Sequence, residues 1–217
     1  MVTPKQTLQQ QVTRFCEWAE AYAESCDMPV SELGSEWEFE YEDWQSLYQA
    51  VFAVLDTLPT YKWDEETDKL LLFALARDNE GEIIATELER RPKALLVLAR
   101  ASLRSAEDQA KWQIASRLSG MSEQPAEARS LLELLAVDKD EYVCRRALIS
   151  LGILGSPSLE GLVDAAWATG NVYQRMAALT ALQGSRSARL NDFLVKADLD
   201  GRQYLVAHAS KIRAGAE

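Results

Sequence analysis

Histidine and cysteine are scarce in this chain. Among 217 residues there is one histidine, His208, and there are three cysteines, Cys16, Cys26 and Cys144. No Cys-x-x-Cys pair and no glycine-rich phosphate loop occurs, so the sequence indicates neither a zinc site nor a nucleotide-binding loop. His208 has no cysteine or serine motif beside it, which disfavours nucleophile–base catalysis. We therefore expect a non-enzymatic protein without a bound metal or cofactor.

The chain also lacks a long apolar segment. No run approaches the roughly 18 to 20 apolar residues that a membrane-spanning helix needs, and the first residues lack the apolar core of a secretory signal. Cys16 and Cys26 would lie about 15 Å apart on one continuous helix, whereas a disulfide needs Cα atoms within about 7 Å. This pattern is typical of a reduced, cytoplasmic protein that does not enter a membrane.

Positive charge is scarce in the first third of the chain. Residues 1–70 contain 15 Asp or Glu and 4 Lys or Arg, whereas residues 71–217 contain 19 of each. The whole net charge of −11 therefore resides in residues 1–70. Nucleic-acid-binding proteins need a basic surface, so nucleic acid is disfavoured as a partner. An acidic third favours either a basic protein partner or a purely solubilising role.

Apolar residues recur with helical spacing along most of the chain. Leu8, Val12 and Phe15 begin a stripe that predicts a helix over residues 4–26, and a second stripe predicts a helix over residues 42–58. Shorter and more regular helices follow from Asp64, which is a suitable N-cap. In total the pattern predicts about twelve helices and no confident strand.

Acidic and aromatic residues alternate in the passage Glu36-Trp-Glu-Phe-Glu-Tyr-Glu-Asp-Trp44. The alternation has strand periodicity, but few other strand candidates exist to pair with it, so we expect an extended lead-in to the second helix. Aromatic rings anchor interfaces and carboxylates meet Lys or Arg there. The alternative is that the rings cover the open end of a helical stack while the glutamates are solvated. The candidate partner-binding residues, called here the acidic–aromatic segment, are Glu36, Trp37, Glu38, Phe39, Glu40, Tyr41, Glu42 and Asp43.

One passage of the chain occurs twice. Residues 131–152 and 162–184 each contain an apolar helical run, a short polar turn and a second helix rich in alanine and leucine. Placing Arg145 on Arg175 aligns the two copies with a shift of 30 residues. A period of this length built from helix pairs predicts an α-solenoid. We expect an acidic N-terminal helical cap over residues 1–63 and repeats over residues 64–217, within one continuous domain.

The first copy resembles a HEAT-type repeat, especially the short variety found in phycobilisome lyases. The matching positions are Asp138, Asp140, Val143, Ala147, Leu151 and Gly152. The arginine of the family pattern falls one place late, and Cys144 stands where it would be. The resemblance is good for residues 125–184, weaker for residues 71–120 and 193–213, and absent for residues 1–63. It implies an all-α, right-handed α-solenoid of HEAT-like helix pairs with a divergent N-terminal cap.

HEAT-type proteins chiefly bind other macromolecules, so the resemblance implies a protein-binding function. Small acidic chains of this kind resemble immunity proteins, which neutralise bacterial toxins, many of them basic nucleases. The alternatives are a bilin chromophore lyase or a general scaffold, and a HEAT-like DNA glycosylase is disfavoured by the charge. A second candidate surface consists of Trp112, Tyr142 and Tyr173, which could instead pack between helices.

Overall fold

The chain is all-helical. The computed structural model describes residues 2–33 and 37–215, and about 75% of these are in helices and none in strands. This confirms the predicted all-α class and, within the described residues, the helix count of twelve. None of these helices is both long and apolar enough to cross a membrane. The helices are α1 (Pro4–Ser25), α2 (Trp44–Thr57), α3 (Glu65–Arg77), α4 (Ile83–Glu89), α5 (Pro92–Ser102), α6 (Asp108–Leu118), α7 (Pro125–Leu135), α8 (Glu141–Ile153), α9 (Leu159–Ala168), α10 (Val172–Gly184), α11 (Leu190–Asp200) and α12 (Gln203–Ala214), with short 3₁₀ helices at Val30–Glu32, Trp37–Glu40 and Thr60–Lys62.

The helices form two compact units. The first unit ends at Ala110 and the second begins at Lys111, so the division falls inside α6. The chain through Ala110 contains 22 acidic and 10 basic residues, a net charge of −12, and the rest contains 12 acidic and 13 basic residues, a net charge of +1. The acidic character therefore belongs to the first unit. The cap proposed for residues 1–63 stays a prediction.

In the first unit, α1 packs against α2 and α3. The helix begins with a capping box, in which the hydroxyl of Thr3 accepts from the backbone N–H of Gln6 and the Gln6 side chain accepts from the backbone N–H of Thr3. Its buried face includes Leu8, Val12 and Phe15, as the spacing predicts. At the start of α3, Asp64 caps the helix by accepting from the backbone N–H of Thr67.

The acidic–aromatic segment is not extended as expected. Its described part contains the 3₁₀ helix Trp37–Glu40, in which the backbone N–H of Tyr41 donates to the carbonyl oxygen of Glu38 at 3.1 Å. The indole Nε1 of Trp44 donates to the same oxygen at 2.9 Å. A lone extended segment would leave such backbone groups without partners, whereas the turn satisfies them locally. The helical turn is therefore favoured over strand geometry despite the alternating sequence.

The second unit contains three helix pairs, α7 with α8, α9 with α10 and α11 with α12, and α10 packs on both α8 and α12. Equivalent buried positions in these pairs recur every 31 residues. The recurring buried sets are Ala147, Ala178 and Ala209 in the second helices and Leu132, Val163 and Leu194 in the first helices. The alignment of Arg145 with Arg175 by 30 residues is therefore wrong by one. It matched two arginines at partly exposed positions and Ala147 with the buried Ala177, but a further shift of 30 reaches the exposed Ala207, so only 31 keeps all three pairs in register.

Helix caps follow the same 31-residue period. Asp140 accepts from the backbone N–H of Val143 at 2.9 Å, and Asn171 accepts from the backbone N–H of Gln174 at 3.2 Å. Short polar side chains of this kind supply the acceptor that the first turn of a helix lacks. The second helices of the first two pairs, α8 and α10, therefore begin with the same local geometry, whereas α12 begins after Arg202 without a side-chain cap.

Helices α8 and α10 approach each other closely at Gly152. A Cβ atom placed on Gly152 would lie 2.6 Å from the Cα atom of Ala181, which is far inside ordinary contact distance. Glycine is required here because the backbone of the neighbouring helix occupies the space of any side chain.

Candidate functional site

A surface groove runs beside the acidic–aromatic segment in the first unit. It has a volume of about 520 Å³ and lies between Arg14, Glu17 and Trp18 of α1 and residues 40–43. We call it the acidic groove. Four of the predicted residues therefore line one concave surface: Glu40, Tyr41, Glu42 and Asp43. Glu36 lies outside the described residues.

The charges of the acidic groove are unbalanced. Arg14 Nη1 lies 3.0 Å from Asp43 Oδ2, which gives one ion pair at the rim. The exposed side chains of Glu17, Glu40 and Glu42 make no ion pair with any residue that the structure describes. Carboxylates arranged in this way attract a cationic group, because their acceptor oxygens are not taken up by an ion pair within the described residues.

Tyr41 forms the floor of the acidic groove. Its side chain is only 5% exposed, and its ring packs on Phe15 and Trp18 with centroids 4.8 and 5.0 Å apart. Within the described part of the chain, the Tyr41 hydroxyl is buried and has no hydrogen-bond partner. Burial raises the pKa of the Tyr41 phenol, and the nearby Asp43 carboxylate adds to this. The Tyr41 ring therefore supports the groove from below, and its hydroxyl is closed off from solvent.

The remaining rings of this region belong to an aromatic cluster centred on Phe15. Its ring contacts those of Trp18, Trp37, Tyr41, Trp44 and Phe73. Trp37 stacks on Trp18 with a centroid separation of 5.6 Å and an interplanar angle of 13°. This packing holds the acidic–aromatic segment against α1. Trp37 therefore has a structural contact that the sequence alone did not show.

Glu38 and Phe39 lie in environments opposite to those expected of their residue types. The Glu38 side chain is 8% exposed, whereas that of Phe39 is 60% exposed. Burial raises the pKa of Glu38, and the nearby Arg77 partly offsets this effect. Glu38 is therefore withdrawn from the surface, and Phe39 presents an apolar ring next to Glu40 in the chain.

The second candidate surface is a row of rings and arginines in the second unit. Trp112 is buried and contacts the Tyr142 ring edge-on at 5.3 Å. The guanidinium of Arg145 lies 4.6 Å from the Tyr142 ring centre and 4.9 Å from that of Tyr173. The structure thus brings together all three predicted residues, with Arg145 between two of them.

Sequence reasoning missed Tyr204, which extends the same pattern. Tyr142, Tyr173 and Tyr204 are exposed and are each the second residue of their helix, at intervals of 31 residues. The 30-residue alignment hid this relationship, because it places Tyr142 opposite Val172. A search with the period of 31 would have found all three.

Cys144 and His208 each lie within hydrogen-bonding distance of a neighbouring polar group. Among the described residues, no cluster of three or more His, Cys, Asp or Glu side chains could hold a metal ion. The Cys144 thiol donates to the carbonyl oxygen of Asp138, and burial raises its pKa to about 11, so it is a poor source of thiolate. His208 Nε2 lies 2.9 Å from the hydroxyl of Thr180. Comparisons of this chain with protein-family models, with curated proteins and with solved structures find no match.

Proposed function

We propose that this chain is a non-enzymatic binding protein whose acidic groove engages a basic protein partner. The observation that carries the proposal is the set of three exposed carboxylates, Glu17, Glu40 and Glu42, that have no ion pair among the described residues. The right-handed, HEAT-like solenoid arrangement expected from the sequence is part of this proposal.

The proposed class of partner is a basic toxin, such as a nuclease, with this chain acting as its immunity protein. An enzyme that binds the nucleic-acid backbone needs a positive surface, and an acidic protein that covers this surface blocks access to the substrate. The first unit, with 22 acidic and 10 basic residues, has the required sign of charge. The exposed Phe39 ring next to Glu40 supplies an apolar contact of the kind that anchors interfaces.

The double variant Glu40→Lys/Glu42→Lys tests this proposal. The partner is first captured from the native host, identified by mass spectrometry and purified, and association rates are then measured at 50 and 300 mM NaCl. Long-range attraction accelerates association mainly at low salt. We expect the double variant to lower the association rate at 50 mM NaCl by about tenfold or more and to flatten its dependence on salt.

The matched control is Glu123→Lys/Asp192→Lys, which makes the same change in net charge on two exposed residues of the second unit. Glu38 is left unchanged because its side chain is buried. Equal slowing by both pairs would assign the effect to net charge alone. Unchanged kinetics in the Glu40/Glu42 variant would move the interface to the surface of Trp112, Tyr142 and Tyr173.

A further inference from the structure

We propose that a row of exposed tyrosines in the second unit binds a proline-rich segment of another protein, held in the polyproline II conformation with a proline at every third position. The row consists of Tyr142, Tyr173 and Tyr204, and we call it the tyrosine row. One proline packs on each ring, and the tyrosine hydroxyls donate to backbone carbonyl oxygens of the segment. The inference goes beyond the proposed function, because it concerns a surface other than the acidic groove.

The first support is the exposed apolar surface at the turns that join the two helices of each pair. The three rings of the tyrosine row are 37%, 49% and 69% exposed in chain order. Val137 and Leu199 each lie five residues before a tyrosine of the row, and they are 69% and 82% exposed. Apolar side chains that are exposed as a group, rather than singly, mark a surface that binds another molecule.

The second support is the spacing of the rings. The guanidinium of Arg145 lies 4.6 Å from the ring centre of Tyr142 and 4.9 Å from that of Tyr173, so these two centres are at most about 9.5 Å apart. This agrees with the separation of roughly 8 to 10 Å between the axes of packed helices. Helix α10 packs on α12 as well as on α8, and Tyr204 has the same position in its helix as Tyr173. We therefore expect a similar interval between the second and third rings.

A polyproline II helix matches this interval. It has three residues per turn and rises about 3.1 Å per residue, so side chains three positions apart lie on one side at a separation of about 9.3 Å. Side chains on one face of a β-strand are about 6.6 Å apart, and the turns of an α-helix are about 5.4 Å apart. The spacing of the tyrosine row therefore favours polyproline II over both, because one residue per turn meets one ring.

The third support is the compensation of charge beside the rings. Arg145 Nε lies 2.9 Å from Glu141 Oε1, next to the first ring, and Arg202 Nε lies 2.6 Å from Asp200 Oδ1, just before the third. The second unit as a whole has a net charge of only +1. An uncharged segment suits such a surface. The carbonyl oxygens of polyproline II have no internal hydrogen bonds, so they can accept from tyrosine hydroxyls, and aromatic-lined surfaces bind proline-rich segments in this way.

Peptide titration of the full chain, followed by NMR, tests this inference. The first capped nonapeptide repeats Pro-Ala-Ala three times. The second has the same composition with its prolines at alternate positions, Pro-Ala-Pro-Ala-Pro-Ala-Ala-Ala-Ala, and the third repeats Glu-Ala-Ala three times. We expect the first peptide to bind about fivefold or more tightly than the other two, because it alone places a proline on every ring. Equal or tighter binding of the second peptide would overturn the spacing argument, and equal or tighter binding of the third would assign the surface to acidic segments and overturn the inference.

Two variants locate the binding site on the tyrosine row. Tyr173→Ala removes the middle ring and Tyr204→Ala removes the most exposed one, which is 69% exposed, so that its loss should leave the fold intact. Each is expected to weaken binding of the first peptide about fivefold or more. The control is Tyr61→Ala, since Tyr61 is 82% exposed in the first unit and its loss should leave the affinity unchanged. Circular dichroism melts check that every variant is folded. A folded Tyr204→Ala that binds the peptide as tightly as the wild type would overturn the inference.

The chain without peptide gives one further outcome. Resonances of the tyrosine row that shift with protein concentration would assign this surface to a second copy of the chain and would overturn the inference, whereas constant resonances support it. None of these measurements uses the basic partner of the acidic groove. The tyrosine row and the proposed function can therefore fail separately.

Discussion

The carboxylate of Glu38 lies in the 3₁₀ helix of the acidic–aromatic segment, with 8% of the side chain exposed. It makes no ion pair with a described residue, although Arg77 is close enough to influence its charge and Glu80 opposes that influence. Removing a carboxylate from water disfavours its charged form. The position therefore opposes folding at neutral pH, and nothing in the alternating sequence reveals this, because the burial arises from the turn and from the packing of the neighbouring rings.

Glu38→Gln should raise the stability of the fold at pH 7. The pKa of Glu38 is raised in the folded state, so the folded protein binds this proton more tightly than the unfolded chain does. The wild type therefore loses stability as the pH rises from the unfolded pKa of about 4.3 through the higher folded pKa. Glutamine has a similar shape and lacks this loss, so the advantage of the variant should be full at pH 7 and absent below about pH 4.

The measurement is the free energy of unfolding from urea titrations at pH 4 and pH 7. Glu40→Gln is the control, because Glu40 is exposed two residues away and its replacement should change stability little at either pH. A Glu38→Gln variant that is less stable than the wild type at pH 7 would contradict this account and would indicate that the Glu38 carboxylate has a stabilising partner.

At the scale of helices, sequence periodicity predicts the elements well. The spacing of Leu8, Val12 and Phe15 gives α1, and Asp64 caps α3 as expected. The 3₁₀ helix at Trp37–Glu40 could not be predicted, since it depends on the hydrogen bond from Trp44 and on ring contacts with α1. Local pattern determines where a helix begins and ends, whereas tertiary contacts decide the conformation of short connections.

The repeat register illustrates the same limit within the second unit. Matching Arg145 to Arg175 favours a shift of 30, but the buried set Ala147, Ala178 and Ala209 recurs through all three pairs only at 31. Residue identity is a weaker guide than burial, because packing between helices constrains the buried positions and leaves the exposed ones free to vary. The unsatisfied hydroxyl of Tyr41 in the candidate site was likewise hidden from the sequence, since it depends on which groups surround the ring.

Gly152→Ala should destabilise the interface between α8 and α10 by about 1–3 kcal/mol, the usual cost of adding a methyl group to a closely packed core. The added Cβ would meet the backbone of Ala181, which cannot move aside like a flexible side chain. The control is Gly161→Ala in α9, where a Cβ has no neighbour within 4 Å, and alanine there should stabilise the helix by about 0.5–1 kcal/mol. Urea midpoints of both variants are compared with the wild type. Equal effects of the two changes would show that the helices do not approach closely at Gly152.

At the scale of the whole molecule, charge is divided between the two units as −12 and +1. The exposed carboxylates of Glu17, Glu20 and Glu24 follow one another at helical spacing on α1, where they repel one another. Ion pairs such as that between Lys5 and Glu66 offset part of this repulsion, but exposed pairs contribute only about 0–1 kcal/mol each. The sequence predicts this imbalance fully, because it depends on composition alone.

Raising NaCl from 50 to 500 mM should therefore increase the Tm by a few degrees, because salt screens the repulsion among the excess carboxylates. The variant Glu20→Gln/Glu24→Gln, which leaves the acidic groove unchanged, should have a higher Tm than the wild type at 50 mM NaCl and a weaker dependence on salt. Differential scanning calorimetry measures both. A wild-type Tm that falls with salt would show that ion pairs outweigh repulsion.

The 31-residue period makes the second unit extensible in principle by duplication of a helix pair. A second copy of residues 156–186 inserted after residue 186 would present the same buried set to its neighbours as the original pair. In the lengthened protein, α10 of the first copy would pack on α10 of the added copy. Gln183 of the first copy would then occupy the position that Gly152 has in α8, and it would face Ala181 of the added copy. Gln183→Gly in the first copy would then be needed to keep the helices at their close distance. The close contact between Gly152 and Ala181 thus determines which residue must change when a helix pair is added.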